Sequence, residues 1–311
     1  MSFNGQTAVV VGASAGIGEA TARAFASAGA EVVIMGRSAD RLDSAAERIG
    51  LTVRTAQVDA TDAAAVTEFF GALGPADHLV LAASPGAVGA GPLSALEVAA
   101  LREAFDGKFF AHFNVLKAAQ VRQSVTFISA VSARAAFSGT AGLAAVNGAL
   151  EAIVPPLAVE LAPVRVNAVS PGVIDTHWWD MLGDQREVYF KAAASAAPAG
   201  RVGTARDVAE AVLYLAGAGY VTGTVLEVAG GANLIAGAVL HEVAGVQGGQ
   251  LGGLVVGEAD GGEAATAAGV HLIPQFAHRL PALPERGRLP RPGGEKHEGV
   301  EDLGVQARGV E

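Results

Sequence analysis

The sequence predicts an α/β fold in which a parallel β-sheet lies between two layers of helices. Short apolar, β-branched runs alternate along the chain with segments of helical periodicity, and a glycine-rich turn directly follows the first apolar run. Hydrophobic residues make up 51% of the 311 residues and charged residues only 17%, so the chain can bury a large core. Alternation of this kind is typical of βαβ crossovers between parallel strands.

Seven predicted strands follow one another along the chain. The apolar runs place them at residues 7–11, 31–35, 52–58, 79–83, 125–129, 164–169 and 224–228. Helical patterns lie between them, over residues 17–27, 42–49, 97–121, 141–161 and 205–217. Pro155 and Pro156 fall inside one of these helices, and we expect a kink there because proline removes a backbone hydrogen bond. Together the elements indicate a doubly wound, Rossmann-type sheet.

The character of the chain changes after Leu234. Residues 1–235 are predicted to form a single domain, whereas residues 236–311 are rich in Gly, Pro, Glu and Arg and show no sustained period of 3.6 or 2. Three interpretations stay open for this irregular tail: a disordered segment, coding sequence read out of frame, or a second small module.

The composition argues against several classes of protein. Twenty-one basic and thirty-one acidic residues give a formal net charge of −10, which disfavours nucleic acid or anionic lipid as a partner. Cysteine is absent, which excludes disulfides and thiolate metal sites, and no spacing among the seven histidines indicates a metal. The first residues have no basic segment and we find no run of about twenty apolar residues, so we expect neither a signal peptide nor a membrane span. We therefore expect a soluble, cytoplasmic protein without a membrane partner.

The glycine-rich turn is the first candidate binding site. Gly12, Gly16 and Gly18 lie between the first predicted strand and the first predicted helix. Glycines at such a place permit a tight turn and let the backbone approach a pyrophosphate at the helix N-terminus. The alternative is an ordinary glycine-rich turn, which the strand and helix alternation further along the chain disfavours.

Several segments together resemble the short-chain dehydrogenase/reductase family, in family order over residues 5–235. They are the Gly-x3-Gly-x-Gly turn, Asp59 after the third strand, and the stretches NAVSPGVIDT, RVGTARDVAEAVLYLA and VTGTVLEVAGG. The resemblance implies an oxidoreductase that acts on a small-molecule carbonyl or alcohol with a nicotinamide dinucleotide. The cofactor-binding positions that it implies are Gly12, Ser14, Gly16, Ile17, Gly18, Asp59, Ala82, Ala83, Pro171, Gly172, Ile174 and Thr176.

Two positions at the end of the second strand bear on the choice of cofactor. In the family an acidic residue there receives the adenosine ribose of NAD, whereas an arginine accepts the 2′-phosphate of NADP. Here Gly36 takes the acidic place and Arg37 follows it, so the resemblance implies that NADP(H) is preferred over NAD(H). The alternative is that Arg37 is a solvated turn residue. The resemblance further implies that Asp59 accepts from the adenine amino group and that Ile174 and Thr176 meet the nicotinamide carboxamide.

The catalytic positions depart from the family pattern, which has a serine, a tyrosine, a lysine four residues after the tyrosine, and an asparagine on an earlier helix. Aligned without gaps, this chain has Ala130 at the serine, Leu143 at the tyrosine, Asn147 at the lysine and Lys108 at the asparagine. Because lysine and asparagine have exchanged positions, the expected site still contains one ammonium and one amide. This exchange predicts that Lys108 and Asn147 are functional, the alternative being a lysine that reaches solvent from its helix face.

Other polar side chains near these positions are weaker candidates. Ser129 is a minor candidate carbonyl donor, because strand alternation directs its side chain to the face opposite to that of Ala130. Ser132 lies on the loop that crosses the expected site. His112 shares a helix face with Lys108, and the favoured interpretation is a packed helix histidine.

The residues after the ProGly turn, His177, Trp178 and Trp179, lie where this family builds its substrate lid. Two interpretations stay open: an aromatic lid over an apolar or aromatic substrate, and ordinary packing of the lid. The helix with the proline pair packs against another subunit in the family, which implies a homo-oligomer.

Two main hypotheses for function follow. The first is an NADP(H)-dependent short-chain oxidoreductase that acts on a carbonyl or alcohol with a substituted active site. The second is a catalytically silent NADP(H)-binding sensor or complex subunit, and a non-redox lyase or isomerase on the same fold is a third possibility.

Overall fold

A computed structural model describes residues 1–234. The strands are Thr7–Val11 (β1), Glu31–Gly36 (β2), Val53–Gln57 (β3), Ala76–Leu81 (β4), Val121–Ile128 (β5), Arg165–Pro171 (β6), Ile174–Asp175 (β7), Gly203–Thr204 (β8) and Val225–Val228 (β9). Seven of them form one parallel sheet in the order β3-β2-β1-β4-β5-β6-β9, and β7 pairs with β8. The predicted Rossmann-type α/β fold is confirmed. The tail predicted over 236–311 lies outside the described residues.

Helices cover both faces of this sheet. They are Gly16–Ser27 (α1), Ala39–Ile49 (α2), Ala63–Leu73 (α3), Val98–Ala104 (α4), Ala111–Ala118 (α5), Ala141–Ala152 (α6), Val154–Glu160 (α7), Arg186–Ala196 (α8) and Ala205–Gly217 (α9). Successive residues of β1 point to opposite faces: Val10 packs with Phe25 of α1, and Val9 packs in the core that contains Leu150 of α6. The two apolar cores are therefore separated by the sheet.

The strand order reverses next to β1, which pairs with both β2 and β4. In doubly wound sheets, ligands bind outside the carboxyl ends of the strands at such a reversal. The glycine-rich turn after β1 and the loop that begins at Ala82 both lie there. The topology therefore positions the predicted binding site at this edge.

Several boundaries and two whole helices differ from the sequence predictions. The strand predicted at 79–83 is β4, which ends at Leu81, so Ala82 and Ala83 belong to the following loop. Ser129 likewise follows the end of β5 instead of lying within it. The sequence analysis missed α3 and α8 entirely. The long helix predicted over 97–121 is interrupted by a π-helical turn at Phe105–Phe110 and ends at Ala118.

The kink expected at the proline pair is confirmed. Helix α6 ends at Ala152, and Pro155 and Pro156 fall in the first turn of α7, where a missing N–H costs little. The combined segment Ala141–Glu160 has 20 residues and a mean hydropathy of 1.5, long and apolar enough by those two measures to cross a membrane. The sequence analysis had found no such run. In the fold, Leu150 and Val154 of this segment are fully buried in the core on one face of the sheet.

Candidate active site

The turn after β1 has no room for side chains at two of its glycines. A Cβ atom at Gly12 would lie 2.6 Å from the backbone nitrogen of Ala83, and the φ angle of Gly12 is +80°. A Cβ atom at Gly18 would overlap the carbonyl oxygen of Gly12. The turn therefore packs directly on the loop after β4 and on its own backbone. It borders the crevice at the carboxyl ends of β1 and β4, together with the N–H groups in the first turn of α1, which have no partner within the helix. Such a cradle fits the pyrophosphate of a dinucleotide.

Residues on both sides of the turn hold it in place. The carbonyl of Ser14 accepts from Arg48 Nη2 at 3.2 Å, and Arg48 also pairs with Glu19 at 2.9 Å. Across the crevice, the methyl group of Thr176 lies 3.4 Å from the place that a Cβ of Gly16 would take. The structure thus brings the glycine-rich turn and the segment after β6 together, as the resemblance implies for a site shared by both.

Pro171, Gly172 and Ile174 follow one another at the end of β6. Pro171 is the last residue of that strand, and Ile174 is buried. A Cβ at Gly172 would lie 2.8 Å from Cα of Ala229, so β6 and the segment after β9 pack closely here. Ile17 lies in the first turn of α1, beside the glycines.

A cavity of about 400 Å³ lies on the other side of the crevice. Its lining residues are Arg37, Thr61, Pro85, Glu103, Asp106, Gly107, Phe110 and Asn114. Asp59 stands next to it and accepts from Thr61 through one oxygen, Oδ1, at 2.9 Å from the backbone and 2.8 Å from the hydroxyl. Arg37 is exposed at the rim. The two residues that the sequence assigns to the adenosine end therefore flank one cavity.

Lys108 and Asn147 meet across two helical segments. The Lys108 ammonium donates to Asn147 Oδ1 at 2.7 Å and to the carbonyl of Ser129 at 3.4 Å. Ser129 follows the carboxyl end of β5, so the ammonium lies at the same edge of the sheet as the glycine-rich turn. Burial lowers the pKa of Lys108 to about 8, against the opposing effect of the Glu151 charge. The structure thus joins the two residues that the sequence analysis paired.

The segment that carries Lys108 is the π-helical turn between α4 and α5. A π turn widens the helix locally and is frequent at functional sites. A Cβ on Gly107 would come within 2.9 Å of Pro85, so the turn packs directly on the loop after β4. This close packing places Lys108 between the loop and α6.

Asn147 is buried and its amide is completely oriented. Its Nδ2 donates to Ser132 Oγ at 3.1 Å and to the carbonyl of Leu143 at 2.9 Å, which leaves Oδ1 to accept from Lys108. Leu143 and Ala130 are half-buried and their side chains have no group that forms hydrogen bonds. The polar chemistry at this place therefore comes from Lys108, Asn147 and Ser132.

The hydroxyl of Ser129 points away from Lys108. It is buried, donates to Glu151 Oε1 at 2.7 Å, and lies 3.2 Å from the carbonyl of Val169. Glu151 in turn accepts from Arg134 Nε at 2.8 Å through its other oxygen. The role of Ser129 as a donor to the substrate carbonyl stays a prediction. The sequence analysis missed Glu151 and Arg134, although Glu151 follows Asn147 by four residues and so shares its helix face.

His112 is fully buried beside Lys108. Its Nε2 lies 3.0 Å from the carbonyl of Ala83 and donates to it, and Nδ1 has no hydrogen-bond partner among the residues described. Burial lowers the pKa of His112 to about 3, and the positive charge of Lys108 acts in the same direction. The imidazole is therefore neutral, as a packed helix histidine would be.

An aromatic cluster follows Thr176 in the predicted lid. The ring centroids of Trp178 and Trp179 are 4.5 Å apart, and those of Trp179 and Tyr189 are 4.7 Å apart. The indole N–H of Trp179 donates to the carbonyl of Ile174 at 3.0 Å, which ties the cluster to β7. His177 is exposed and pairs with Asp180 at 3.0 Å. Within residues 1–234, no group of three His, Asp or Glu side chains is arranged to hold a metal ion.

This sheet, with a glycine-lined crevice at the carboxyl ends of its strands, defines a nucleotide-binding α/β protein. A family model described as enoyl-(acyl carrier protein) reductase matches residues 12–233. The chain belongs to the short-chain dehydrogenase/reductase family of oxidoreductases.

Relatives and solved structures agree with this placement. A short-chain dehydrogenase/reductase of Stachybotrys chlorohalonatus is 33% identical over 257 residues, which cover 75% of this chain and 99% of that protein. The galactitol 2-dehydrogenase (L-tagatose-forming) of Cereibacter sphaeroides is 34% identical over 251 residues, 74% of this chain and 95% of that one. The structure of a gluconate 5-dehydrogenase from Burkholderia cenocepacia J2315 in complex with NADP and tartrate is 26% identical, with a TM-score of 0.68, over 75% of this chain and 97% of that one.

Proposed function

We propose that this chain is an NADP(H)-dependent short-chain oxidoreductase that acts on a carbonyl or alcohol, with Lys108 and Asn147 in a substituted active site. The observation that carries the proposal is the 2.7 Å hydrogen bond between Lys108 Nζ and Asn147 Oδ1 beside the crevice. A lysine without a role on this helix would extend its ammonium to water. Instead, Lys108 is half-buried and bonded to an amide whose other groups are also satisfied.

The crevice supports a phosphate-bearing dinucleotide, which supplies hydride transfer when it is bound. Gly12 and Gly18 let the turn pack tightly on the loop after β4 and on the start of α1, so that backbone N–H groups at the N-terminus of α1 are available to its pyrophosphate. Arg37 offers a planar guanidinium to the 2′-phosphate, and Gly36 removes the carboxylate that would repel it. The related gluconate 5-dehydrogenase structure contains NADP, which is consistent with this choice.

Lys108 would supply part of the proton donation and ribose binding that a tyrosine and a lysine provide in the family. Of the three N–H groups on its ammonium, Asn147 and Ser129 each accept one, which leaves a third for the nicotinamide ribose or the substrate oxygen. A dedicated proton donor contributes about 10²–10⁴ in rate. Because the side chain of Leu143 cannot donate a proton, we expect slow turnover or a substrate whose conversion depends less on a proton donor.

The aromatic cluster of Trp178, Trp179 and Tyr189 supports an apolar or aromatic substrate. The cluster follows Thr176, which lies across the crevice from Gly16. A lid there would cover whatever is held beside the nicotinamide position.

Intrinsic fluorescence tests the proposal, because both tryptophans of the chain lie in this cluster. The protein is titrated with NADPH and with NADH, and then assayed for NADPH oxidation with a panel of apolar and aromatic aldehydes and ketones. Tighter binding of NADPH together with turnover is the expected result. Binding without turnover would favour the silent sensor or complex subunit, which the apolar Ala130 and Leu143 also favour. Absence of binding would contradict both.

A further inference from the structure

Glu151 is a buried acid that the proposed function does not use. It lies on α6 one turn after Asn147, and only 8% of the residue is exposed. Its two oxygens have separate partners: Oε1 accepts from the hydroxyl of Ser129 at 2.7 Å, and Oε2 accepts from Nε of Arg134 at 2.8 Å. The charge of a carboxylate in such a place acts on the charged groups around it, and it acts on Lys108.

Ser129 connects this acid to Lys108. Its carbonyl accepts from the Lys108 ammonium at 3.4 Å, while its hydroxyl donates to Glu151. Among the described residues, Lys108 forms no ion pair within 4.0 Å, so Glu151 acts on it across one serine and not by direct contact. Glu151 is nevertheless the charge that raises the pKa of Lys108 against the effect of burial.

We infer that Glu151 and Arg134 are positioning residues that control, in opposite directions, how firmly Lys108 holds its proton. The inference deepens the proposed function and rests on its assignment of Lys108. Glu151 is buried and Arg134 is half-exposed, and both act on Lys108 without contacting it directly.

The effect of these residues on Lys108 is electrostatic. Lys108, Glu151, Arg134 and Glu227 form a chain of alternating charge, since Arg134 Nη1 also donates to Glu227 of β9 at 2.9 Å. The negative charge of Glu151 favours the ammonium form of Lys108 and opposes the effect of burial. Arg134 partly cancels the field of Glu151, so removing Arg134 should favour the ammonium form further.

The remaining groups around Lys108 do not replace Glu151. From α5, His112 faces the ammonium, but it is neutral because burial depresses its pKa to about 3. From α6, Asn147 contributes a neutral amide. On the π-helical turn itself, Asp106 is exposed and lines the cavity near Arg37, where solvent screens it. Glu151 is therefore the buried anion that bears on Lys108 among the residues described.

The test is a titration of Lys108 in the full chain by nuclear magnetic resonance with isotope-labelled lysine. The chain has only four lysines, so each Cε signal is assigned by replacing one lysine with methionine. The shift of each signal is followed between about pH 6 and pH 11, around the ordinary lysine value. Lys117 and Lys191 are exposed and serve as references within the same sample.

We expect a midpoint near pH 8 for Lys108 in the unaltered chain. Glu151→Gln should lower it by about one unit and Arg134→Gln should raise it, because an opposite charge nearby shifts a pKa by about one unit or more. Glu151→Asp should restore most of the original value. Glu160→Gln, at an exposed acid on α7, is the matched control and should leave all signals unchanged.

Opposite shifts in the Glu151 and Arg134 variants would support the inference. An unchanged Lys108 midpoint in Glu151→Gln, or shifts of the same sign in both variants, would overturn it. If Glu151→Gln does not fold, Arg134→Gln and Glu151→Asp decide the question, since Arg134 is half-exposed. The readout needs no turnover, so a shift in a chain that reduces nothing would leave this inference standing while the proposed function fails.

Discussion

At the scale of single residues, one amide organises the candidate site. Asn147 uses both N–H groups on Ser132 and Leu143, so its oxygen is the group that is left for the Lys108 ammonium. A lysine held in this way loses the freedom to reach solvent, and it presents its remaining donor from a fixed place. The exchange of lysine and asparagine between two helices is therefore compatible with a working polar pair.

Arg37 allows a direct prediction about the cofactor. Arg37→Ala should raise the dissociation constant for NADPH by about tenfold or more, because a charge-assisted hydrogen bond contributes about 1.5–3 kcal/mol. Affinity for NADH should change little. Fluorescence titration of both cofactors measures this, with Arg122→Ala as the control, since Arg122 is exposed at the amino end of β5, away from the crevice. Equal affinities for NADPH and NADH in the unaltered chain would refute the assignment.

At the scale of elements, the segment after β6 connects the binding crevice to the lid. Thr176 faces the glycine-rich turn, and Trp179, three residues further on, packs on Tyr189 of α8. Trp179 is fixed by its bond to Ile174, whereas Trp178 packs only against its neighbour among the aromatic contacts of residues 1–234. Trp178 is therefore the side chain with more freedom to contact a substrate.

The lid prediction concerns Trp178. Trp178→Ala should raise KM for apolar and aromatic carbonyl substrates several-fold while kcat for small polar ones changes little, because a buried aromatic contact is lost. Trp178→Phe keeps an aromatic ring and should retain most of the affinity. Steady-state kinetics on matched aliphatic and aromatic aldehydes provide the measurement. An equal effect on both substrate types would show that the residue only packs the lid.

The elements also show what the sequence reveals and what it hides. The central strands β1 and β2 are almost entirely apolar because both of their faces are buried. The edge strand β3 is more polar and partly exposed, but the alternation with helices still predicted all seven strands of the sheet. Helix α3 was missed because its sequence, AAAVTEFFGAL, is apolar almost throughout and has no clear polar face. The π turn around Lys108 depends on backbone hydrogen bonds that no side-chain pattern encodes. Pairing of Lys108 with Asn147 was predicted, but the Ser129–Glu151–Arg134 contacts needed the folded chain, because Arg134 lies outside the helix.

At the scale of the fold, exposed apolar side chains on two of the helices are candidates for contacts between copies. Phe113 of α5 is 39% exposed and Val159 of α7 is 80% exposed, and Phe110 before α5 is also exposed. Exposed large apolar side chains are typical of interfaces when they lie close together. The family resemblance implies an interface on the helix that contains the proline pair, which is where Val159 lies.

We predict a homo-oligomer whose mass in light scattering is a multiple of 31.1 kDa. Phe113→Glu together with Val159→Glu should shift it toward the monomer, because two buried charges would face an apolar partner. Leu51→Glu is the control, at an exposed leucine between α2 and β3. A monomer in the unaltered chain would contradict the prediction.

The predicted domain boundary has its own test. A chain that ends at Ile235 should bind NADPH as tightly as the full chain, because the sheet is complete at Val228. Comparison of the two dissociation constants and of the two melting temperatures measures this. Weaker binding by the shortened chain would show that residues 236–311 contribute to the domain.

The role of Lys108 is tested most directly by the affinity of Lys108→Met for NADPH, measured by tryptophan fluorescence. Lys117→Met is measured beside it, because it removes an exposed lysine from the same helical region. If Lys108 holds the cofactor, the dissociation constant should be at least about tenfold higher for Lys108→Met and unchanged for Lys117→Met. Adding Asn147→Ala to Lys108→Met should cost less than the two single effects combined, because the residues share one network. If Lys108→Met binds NADPH and turns over substrate as the unaltered chain does, Lys108 takes no part in the site, and the proposal of a substituted active site built on Lys108 is wrong.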